Sequence, residues 1–458
     1  MYTIKAPFIK SWHLIHSTGC IPALSTGLLI AWPSPSIPKI INDKKHYNIT
    51  EAEASYFSFL NAIGPILLSP IASQLCDILG RKWTLMLSAI PHAITWIIKA
   101  FCTDLNALYT ARAIGSVGDT FMYNALPMYI GEISTPKVRG IWGNGLICAL
   151  YLGLFLINTI GAYCSIHATA LICLVFPVIF LIMSFFIPES PYFYAMRGDD
   201  IATLDSLKKL RGTEDVESEF SKIKSGVKRQ MSEPRTWKDV VMIRSNRKAC
   251  FAGVFLRVSQ NFCGLITFTV YAQYIFENVG NTINTKMSSI LYTGLTFVCY
   301  LVACYFSDKM GRRLSYIISL SLCTIPLFGI GIYFAMKQYD NQRDLTVVEF
   351  IPLLCMIVYI VAASCGTGLV PTLMLGELFS TSVKVKCLCI VTTFFSLTYF
   401  AANNTFYYLS HSIGIFAPFF VFGCCNILSA FLASWIIPET KGKTLEEIQQ
   451  ILKNSSKS

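Results

Sequence analysis

Two hexapeptides, DILGRK at 77–82 and DKMGRR at 308–313, each place an acid, a glycine three residues on and two adjacent bases behind an apolar run. Carboxylates and guanidiniums at this spacing are suited to ion pairing, with each other or with acids brought alongside. Such acids recur in step: Glu132 in GEIST and Glu377 in GELFST, then Glu189 in IPESP and Glu439 in IPETKG. With Asp77, Arg81 and Arg139 in one set, and Asp308, Arg312 and Lys384 in the other, they form two matched groups. Three further charges, Arg112, Asp119 and Arg257, fall inside apolar runs, where a charge is costly and usually functional. Neutral hydrogen-bonding chemistry is offered by the adjacent amides Gln260 and Asn261. No GxxxxGK[ST] phosphate loop occurs, and no cluster of His, Cys, Asp and Glu marks a catalytic or metal centre. An ATP-driven pump, an enzyme and a bound cofactor are therefore not expected.

The elements that must hold these groups are set by composition. The chain has 458 residues, of which 54% are hydrophobic and 14% charged. A soluble globule carries roughly a quarter of its residues as charges, so lipid is the expected solvent. Spans of about 20 apolar residues fall near 11–32, 55–76, 84–102, 107–130, 141–162, 168–187, 249–277, 288–307, 314–336, 350–378, 387–409 and 414–437. The expected fold is all-α, with twelve transmembrane helices. The 17 cysteines lie mostly in apolar runs, as small hydrophobes do. Cys102 and Cys164 fall near outer ends and are open to pairing. The first apolar run lacks a cleavage site, so no signal peptide is expected.

Orientation follows the basic residues. With the N-terminus inside, inner segments hold 28 Lys and Arg and outer loops 6. The net charge of +11 is thus a topology signal rather than a nucleic-acid footprint, and both termini are expected in the cytoplasm. Asn48-Ile49-Thr50 is the one glycosylation match in an outer loop.

The echoes occupy equivalent places, after the second, fourth and sixth spans of each half. A six-helix unit is therefore written twice. The expected parts are a first bundle at 1–188, a helical linker at 189–248, a second bundle at 249–437 and a tail at 438–458. In the linker, Ile201, Leu204, Leu207 and Leu210 recur at helical spacing, and Thr444 with Glu447 resembles a capping box. Repeated six-span bundles define rocking transporters with a solute site between the halves. The charged sets are expected to form ion-pair latches when the halves close inside and to lose them when the halves part. Exposed pairs contribute about 0–1 kcal/mol each, so several together can bias a two-state equilibrium.

These strings resemble the sugar-porter family of the major facilitator superfamily over nearly the whole chain. The residues that carry the resemblance are the two hexapeptides, Arg112, PMYIGEISTPKVRG at 127–140, PESP at 188–191, SQNFCG at 259–264, GTGLVP at 366–371 and PETKGKTLEE at 438–447. WPSPSIPK at 32–39 is similar to the first outer loop of insect facilitated trehalose and hexose carriers. The resemblance implies alternating-access transport of a sugar by a plasma-membrane protein that works as a monomer. It implies sugar contacts from Gln260, Asn261, Tyr271 and Thr372, with helix bending at Gly264, Gly366, Gly368 and Pro371. It also exposes departures. Ile147, Ile266, Thr372, Phe395 and Ser396 stand where the family has amides or tryptophan, and a non-transporting sensor or a carrier of a less polar solute stays open. Ser25 stands where proton symporters of the family have Asp, which implies passive uniport. Asp119 and Arg257 are expected to neutralise each other across the cavity, with proton coupling by Asp119 as the alternative.

Overall fold

The computed structural model describes residues 6–454 apart from 45, 48, 136–138, 233–236, 280–284, 307–310, 340–348, 380–382, 442 and 444. Asn48, Asp308 and Thr444 thus lie outside the described residues, as does the side chain of Arg139.

The regular elements among the described residues are all helices. The first six spans are built from α1 (Ala6–Ala31) with α2 (Pro33–Asn42), then α3 (Glu51–Ile78), α4 (Arg81–Phe101), α5 (Leu105–Ile133), α6 (Arg139–Tyr163) and α7 (Ile166–Ser184). Four short helices follow: α8 (Pro191–Met196), α9 (Asp200–Arg211), α10 (Glu217–Ser232) and α11 (Trp237–Met242). The second six spans begin with α12 (Arg244–Phe262), α13 (Leu265–Val270) and α14 (Ala272–Glu277), three pieces of one broken span. They continue with α15 (Thr285–Phe306), α16 (Arg312–Tyr339), a span broken into α17 (Ile351–Cys365) and α18 (Val370–Leu378), α19 (Lys384–Ser412) and α20 (Phe416–Ile436). The chain closes with α21 (Leu445–Asn454).

Ten helical stretches among the described residues are long and apolar enough to cross a membrane. The other two expected spans are α3 and α5, which have the length, at 28 and 29 residues; α3 carries acids only at its two ends, whereas α5 carries Arg112, Asp119 and Glu132 along its length. A buried polar seam and a lipid-facing apolar surface coexist in α4: Ser88, His92, Thr95 and Lys99 turn inward, while Ile90, Ile94 and Ile97 are exposed.

Helix starts follow the local sequence. Thr50 accepts from the Glu53 backbone and Glu53 returns the bond, a capping box that opens α3. Asp104 caps α5 and Ser165 caps α7 in the same way with single side chains. The linker helices pack Leu207, Val216, Ile223 and Val227 into a small core of their own. Ile201, expected on that face, is instead 84% exposed, because α9 buries the stripe of Thr203, Ser206, Leu207 and Leu210. Arg211 Nη1 donates to the Ile133 carbonyl at 3.0 Å, which ties the linker to the end of α5. The cysteines form no disulfide among the described residues, Cys102 and Cys164 included.

Candidate functional site

The two charged motifs build the same bracket twice. Gly80, at φ +105°, ends the turn before α4, and Glu189 swings under that helix start. Its Oε1 accepts from the backbone N–H groups of Arg81 at 3.1 Å and Lys82 at 3.0 Å. In the second half, Glu439 accepts from Arg312 N at 2.9 Å and Arg313 N at 3.1 Å at the start of α16. A carboxylate at a helix N-terminus satisfies orphan donors and complements the helix dipole. Both acids need a glycine beside them: a Cβ at Gly80 would overlap the Glu189 carboxylate, and one at Gly311 would come within 2.8 Å of Glu439 Oε2. The guanidiniums complete the match. Arg81 Nε lies 3.0 Å from Glu132 Oε2, and Arg312 Nη2 lies 3.4 Å from Glu377 Oε1. Ser190 donates to Glu132, and Thr440 donates to Glu377 at 2.5 Å.

The two brackets differ electrically. Burial pushes the Glu189 carboxyl above the usual carboxylate range, only partly offset by its N–H donors. Burial also acts to raise Glu439, but its backbone donors outweigh that effect and hold it below the usual range. Asp77 lies 3.7 Å from Arg81 within the same half, and Lys384 Nζ donates to the Gly376 carbonyl at 3.4 Å. All these described pairs join groups of one half. Latches across the halves are expected from the sequence; among the described residues, Glu189 and Glu439 instead meet a helix start, and Asp77, Glu132 and Glu377 an arginine, of their own bundle.

The intramembrane charges also find other partners than expected. Arg112 donates from Nε to the Phe57 carbonyl at 3.0 Å and from its terminal nitrogens to the carbonyls of Leu29 and Ile30. It thereby caps the end of α1, where the chain turns at Trp32 into α2. Asp119 meets His92, with Nε2 and Oδ1 3.1 Å apart and both residues buried. Arg257 donates to Gln260 Oε1 at 2.6 Å and lies over the Phe395 ring at 5.1 Å. The expected Asp119–Arg257 pair is therefore not formed: each has a nearer partner on or beside its own helix. Lys99, which sequence reasoning passed over, sits 4.0 Å from the Trp32 ring centre and 4.8 Å from that of Trp96.

Between the halves lies an aromatic and polar seam. Tyr151 of α6 stacks on Tyr300 of α15 with ring centres 3.7 Å apart, and their hydroxyls hydrogen-bond at 2.9 Å. One turn away, Cys148 Sγ lies 3.7 Å from Cys304 Sγ, and a further turn along α6 Asn144 Nδ2 donates to the Cys304 carbonyl at 3.3 Å. Tyr123 of α5 meets Phe395 of α19 edge-on at 6.4 Å.

The helix breaks beside this seam carry the amides. Cys263 and Gly264 separate α12 from α13, with Gly264 at φ +96°. Gly366 and Gly368 separate α17 from α18, whose first turn contains Pro371. Gly368 is obligatory for contact, since a Cβ there would overlap the Tyr300 hydroxyl. Gln260 Nε2 donates to the Gly368 carbonyl at 3.2 Å, so both ends of this amide are already engaged. Asn261 Nδ2 donates to Phe395 O at 2.7 Å and Thr398 Oγ1 at 2.8 Å, while its Oδ1 is buried without a partner. Tyr271 stacks on Phe406 at 4.7 Å. Thr372 lies in α18, half-buried, and Ile147 is buried in α6 while Ile266 is half-buried in α13. Ser396 is buried in α19. Other neutral polar atoms along the broken and interfacial helices are also buried without partners: Ser25 Oγ, Asn144 Oδ1, Gln273 Nε2 and Asn403 Oδ1.

Two six-span bundles with matched brackets at corresponding ends, a polar seam between them and helices broken beside it define a membrane transporter of the major facilitator type. The chain belongs to the sugar (and other) transporter family, whose model matches residues 38–452. Among its relatives is the facilitated trehalose transporter Tret1 of Polypedilum vanderplanki, 27% identical over 431 residues, covering 93% of this chain and 85% of that one. Tret1 of Apis mellifera ligustica is 28% identical over 436 residues, with 93% and 85% covered. The fold is similar to that of the proton:xylose symporter XylE bound to 6-bromo-6-deoxy-D-glucose, with a TM-score of 0.79, 20% identity, and 97% of this chain and 99% of that one covered. It is also similar to a partially occluded inward-open form of the Escherichia coli xylose transporter, at a TM-score of 0.78 and 20% identity over 95% of this chain and 100% of that one.

Proposed function

We propose that this chain is a uniporter that carries a hexose or a trehalose-like disaccharide across the plasma membrane by alternating access, working as a monomer. The observation that supports it best is the set of unpartnered, buried, neutral polar atoms drawn from both bundles: Ser25 and Asn144 from the first, Asn261, Gln273 and Asn403 from the second. Buried polar atoms are almost always hydrogen-bonded, and a solute rich in hydroxyls supplies both donors and acceptors without adding charge. The relatives named as facilitated trehalose transporters favour a disaccharide and a passive cycle. Ser25 at the first-span position adds to that reading. Basic inner segments favour cytoplasmic termini and a cytoplasmic linker at 189–248, with bundles at 1–188 and 249–437 and a tail at 438–458. The twin brackets brace the cytoplasmic helix ends so that each half moves as one body. Tyr271 and Thr372 complete the solute contacts, and Gly264, Gly366, Gly368 and Pro371 let the broken spans bend.

A second reading, a carrier of a less polar solute or a sugar sensor, is favoured by one feature. The Gln260 amide is satisfied within the chain, and the side chains of Ile147 and Ile266 offer a solute no hydrogen bond. Counterflow of radiolabelled trehalose and glucose into proteoliposomes separates these readings. Saturable exchange supports the uniporter. Binding of sugar without exchange makes the chain a sensor, and neither binding nor exchange removes sugar from consideration.

A further inference from the structure

The first bundle buries a titratable cluster for which the passage of a neutral solute has no use. His92 and Lys99 project from α4, and Arg112 and Asp119 from α5, each at most 1% exposed. Asp119 Oδ1 is 3.1 Å from His92 Nε2, and the remaining atoms of the pair, Asp119 Oδ2 and His92 Nδ1, have no partner. The close approach is built into the backbone. A Cβ at Gly118 would come within 2.6 Å of His92 Nε2, so only glycine leaves room for the imidazole against α5.

The charged and titratable neighbours are few. Arg112 lies one helical face along α5 but is spent on three carbonyls. Lys99 lies within electrostatic range of Asp119 but stands between two indoles. Tyr123 on α5 and Tyr399 on α19 of the second bundle also come within range of Asp119. The Tyr399 hydroxyl is buried and unpartnered.

We propose that the His92–Asp119 pair is a proton-binding site, and that the proton it holds governs how easily the halves rock. The proposal rests on the uniporter reading and concerns its regulation. With the shared proton in place the pair is neutral, as a buried site within a membrane requires. When the proton leaves to solvent, a full carboxylate charge remains with Oδ2 free, and the orphan Tyr399 hydroxyl, within electrostatic range on α19 of the other half, is the donor that would turn to it. That hydrogen bond would tie α5 to α19 and slow their separation.

The test is equilibrium exchange of labelled sugar in proteoliposomes with equal pH on both sides, from about pH 5.5 to 8.5. Exchange should fall by about tenfold as pH rises, the rate equivalent of one hydrogen bond to a charged group. Tyr399→Phe should stay fast at the alkaline end with its acid-side rate unchanged, and His92→Gln should flatten the profile. A flat wild-type profile, or a profile that survives both substitutions, overturns the proposal. Thermal unfolding of purified carrier reads the pair even where no sugar is exchanged. The wild type should lose stability as pH rises, because proton loss leaves a net charge buried in the membrane that one hydrogen bond from Tyr399 does not offset, and His92→Gln should not; equal curves overturn the proposal. If a pH gradient alone drives sugar uphill and Asp119→Asn abolishes this, the passive reading fails while the proton site stands.

Discussion

The seam between the halves makes a quantitative prediction at Tyr151 and Tyr300. Their hydroxyls meet at 2.9 Å and their rings stack at an interplanar angle of 13°. Tyr300 is fully buried and Tyr151 nearly so. Tyr151→Phe leaves the Tyr300 hydroxyl buried without a partner, which costs about 1–3 kcal/mol, and Tyr300→Phe does the same in reverse. The double variant removes both polar groups, keeps the stack and should cost less than either single change. The cycle should therefore show a coupling of at least about 1 kcal/mol between the two sites. Because the contact joins the two bundles, each 1.4 kcal/mol lost also shifts the rocking equilibrium by about tenfold. Thermal unfolding of the four purified proteins measures the cycle, and counterflow of labelled sugar measures the shift. Additive single costs, within about 0.5 kcal/mol, would show that the hydroxyls do not depend on each other and would refute the proposed seam.

Three further outcomes follow from the brackets and breaks. Glu189 is held above the usual carboxylate range and Glu439 below it, so acidification protonates Glu189 first. Hydrogen exchange should then open the first-turn amides of α4 at a higher pH than those of α16; simultaneous opening contradicts this. The sign differs too: the Glu439 contribution is present at neutral pH and lost as pH falls through its depressed range, whereas the raised Glu189 disfavours the fold as pH rises through its own. Gly80→Ala, which forces both a left-handed backbone and an overlap with Glu189, should destabilise the first bundle by about 1–3 kcal/mol, seen as a lower midpoint in thermal unfolding. Gly368→Ala should displace the Tyr300 ring at a similar or larger cost, and Gly368→Ala combined with Tyr300→Leu should recover part of it.

Much of the architecture was legible because charge is rare in this chain. Against an apolar background, Arg81 with Glu132 and Arg312 with Glu377 spell out the same corner of each half, and their echoes disclose the repeat. Glycine and proline likewise marked the breaks at 264 and 366–371, where backbone conformation rather than packing decides. What sequence could not supply was the choice of partner. Asp119 and Arg257 are both mid-span charges of opposite sign, yet His92, on the neighbouring helix of the same bundle, is the residue that reaches the carboxylate. A histidine in the middle of an apolar span was the available signal. Gln260 was chosen as a solute ligand for its type, but Arg257 one helical turn before it and the open carbonyl of Gly368 take up the amide. Lys99 was hidden because a single base near a span end looks like an anchor until two indoles are seen around it.

Rocking of one bundle against the other is tested most directly at Cys148 and Cys304, native thiols from opposite halves whose sulfurs are 3.7 Å apart. Copper phenanthroline in proteoliposomes should oxidise them to a disulfide, two thiols giving up two protons and two electrons to the copper-activated oxygen. Counterflow should then stop, return with dithiothreitol, and be untouched by oxidation in Cys304→Ser. A carrier shown by mass spectrometry to be cross-linked at these two residues and still exchanging sugar at its original rate would contradict the movement of the halves at this seam.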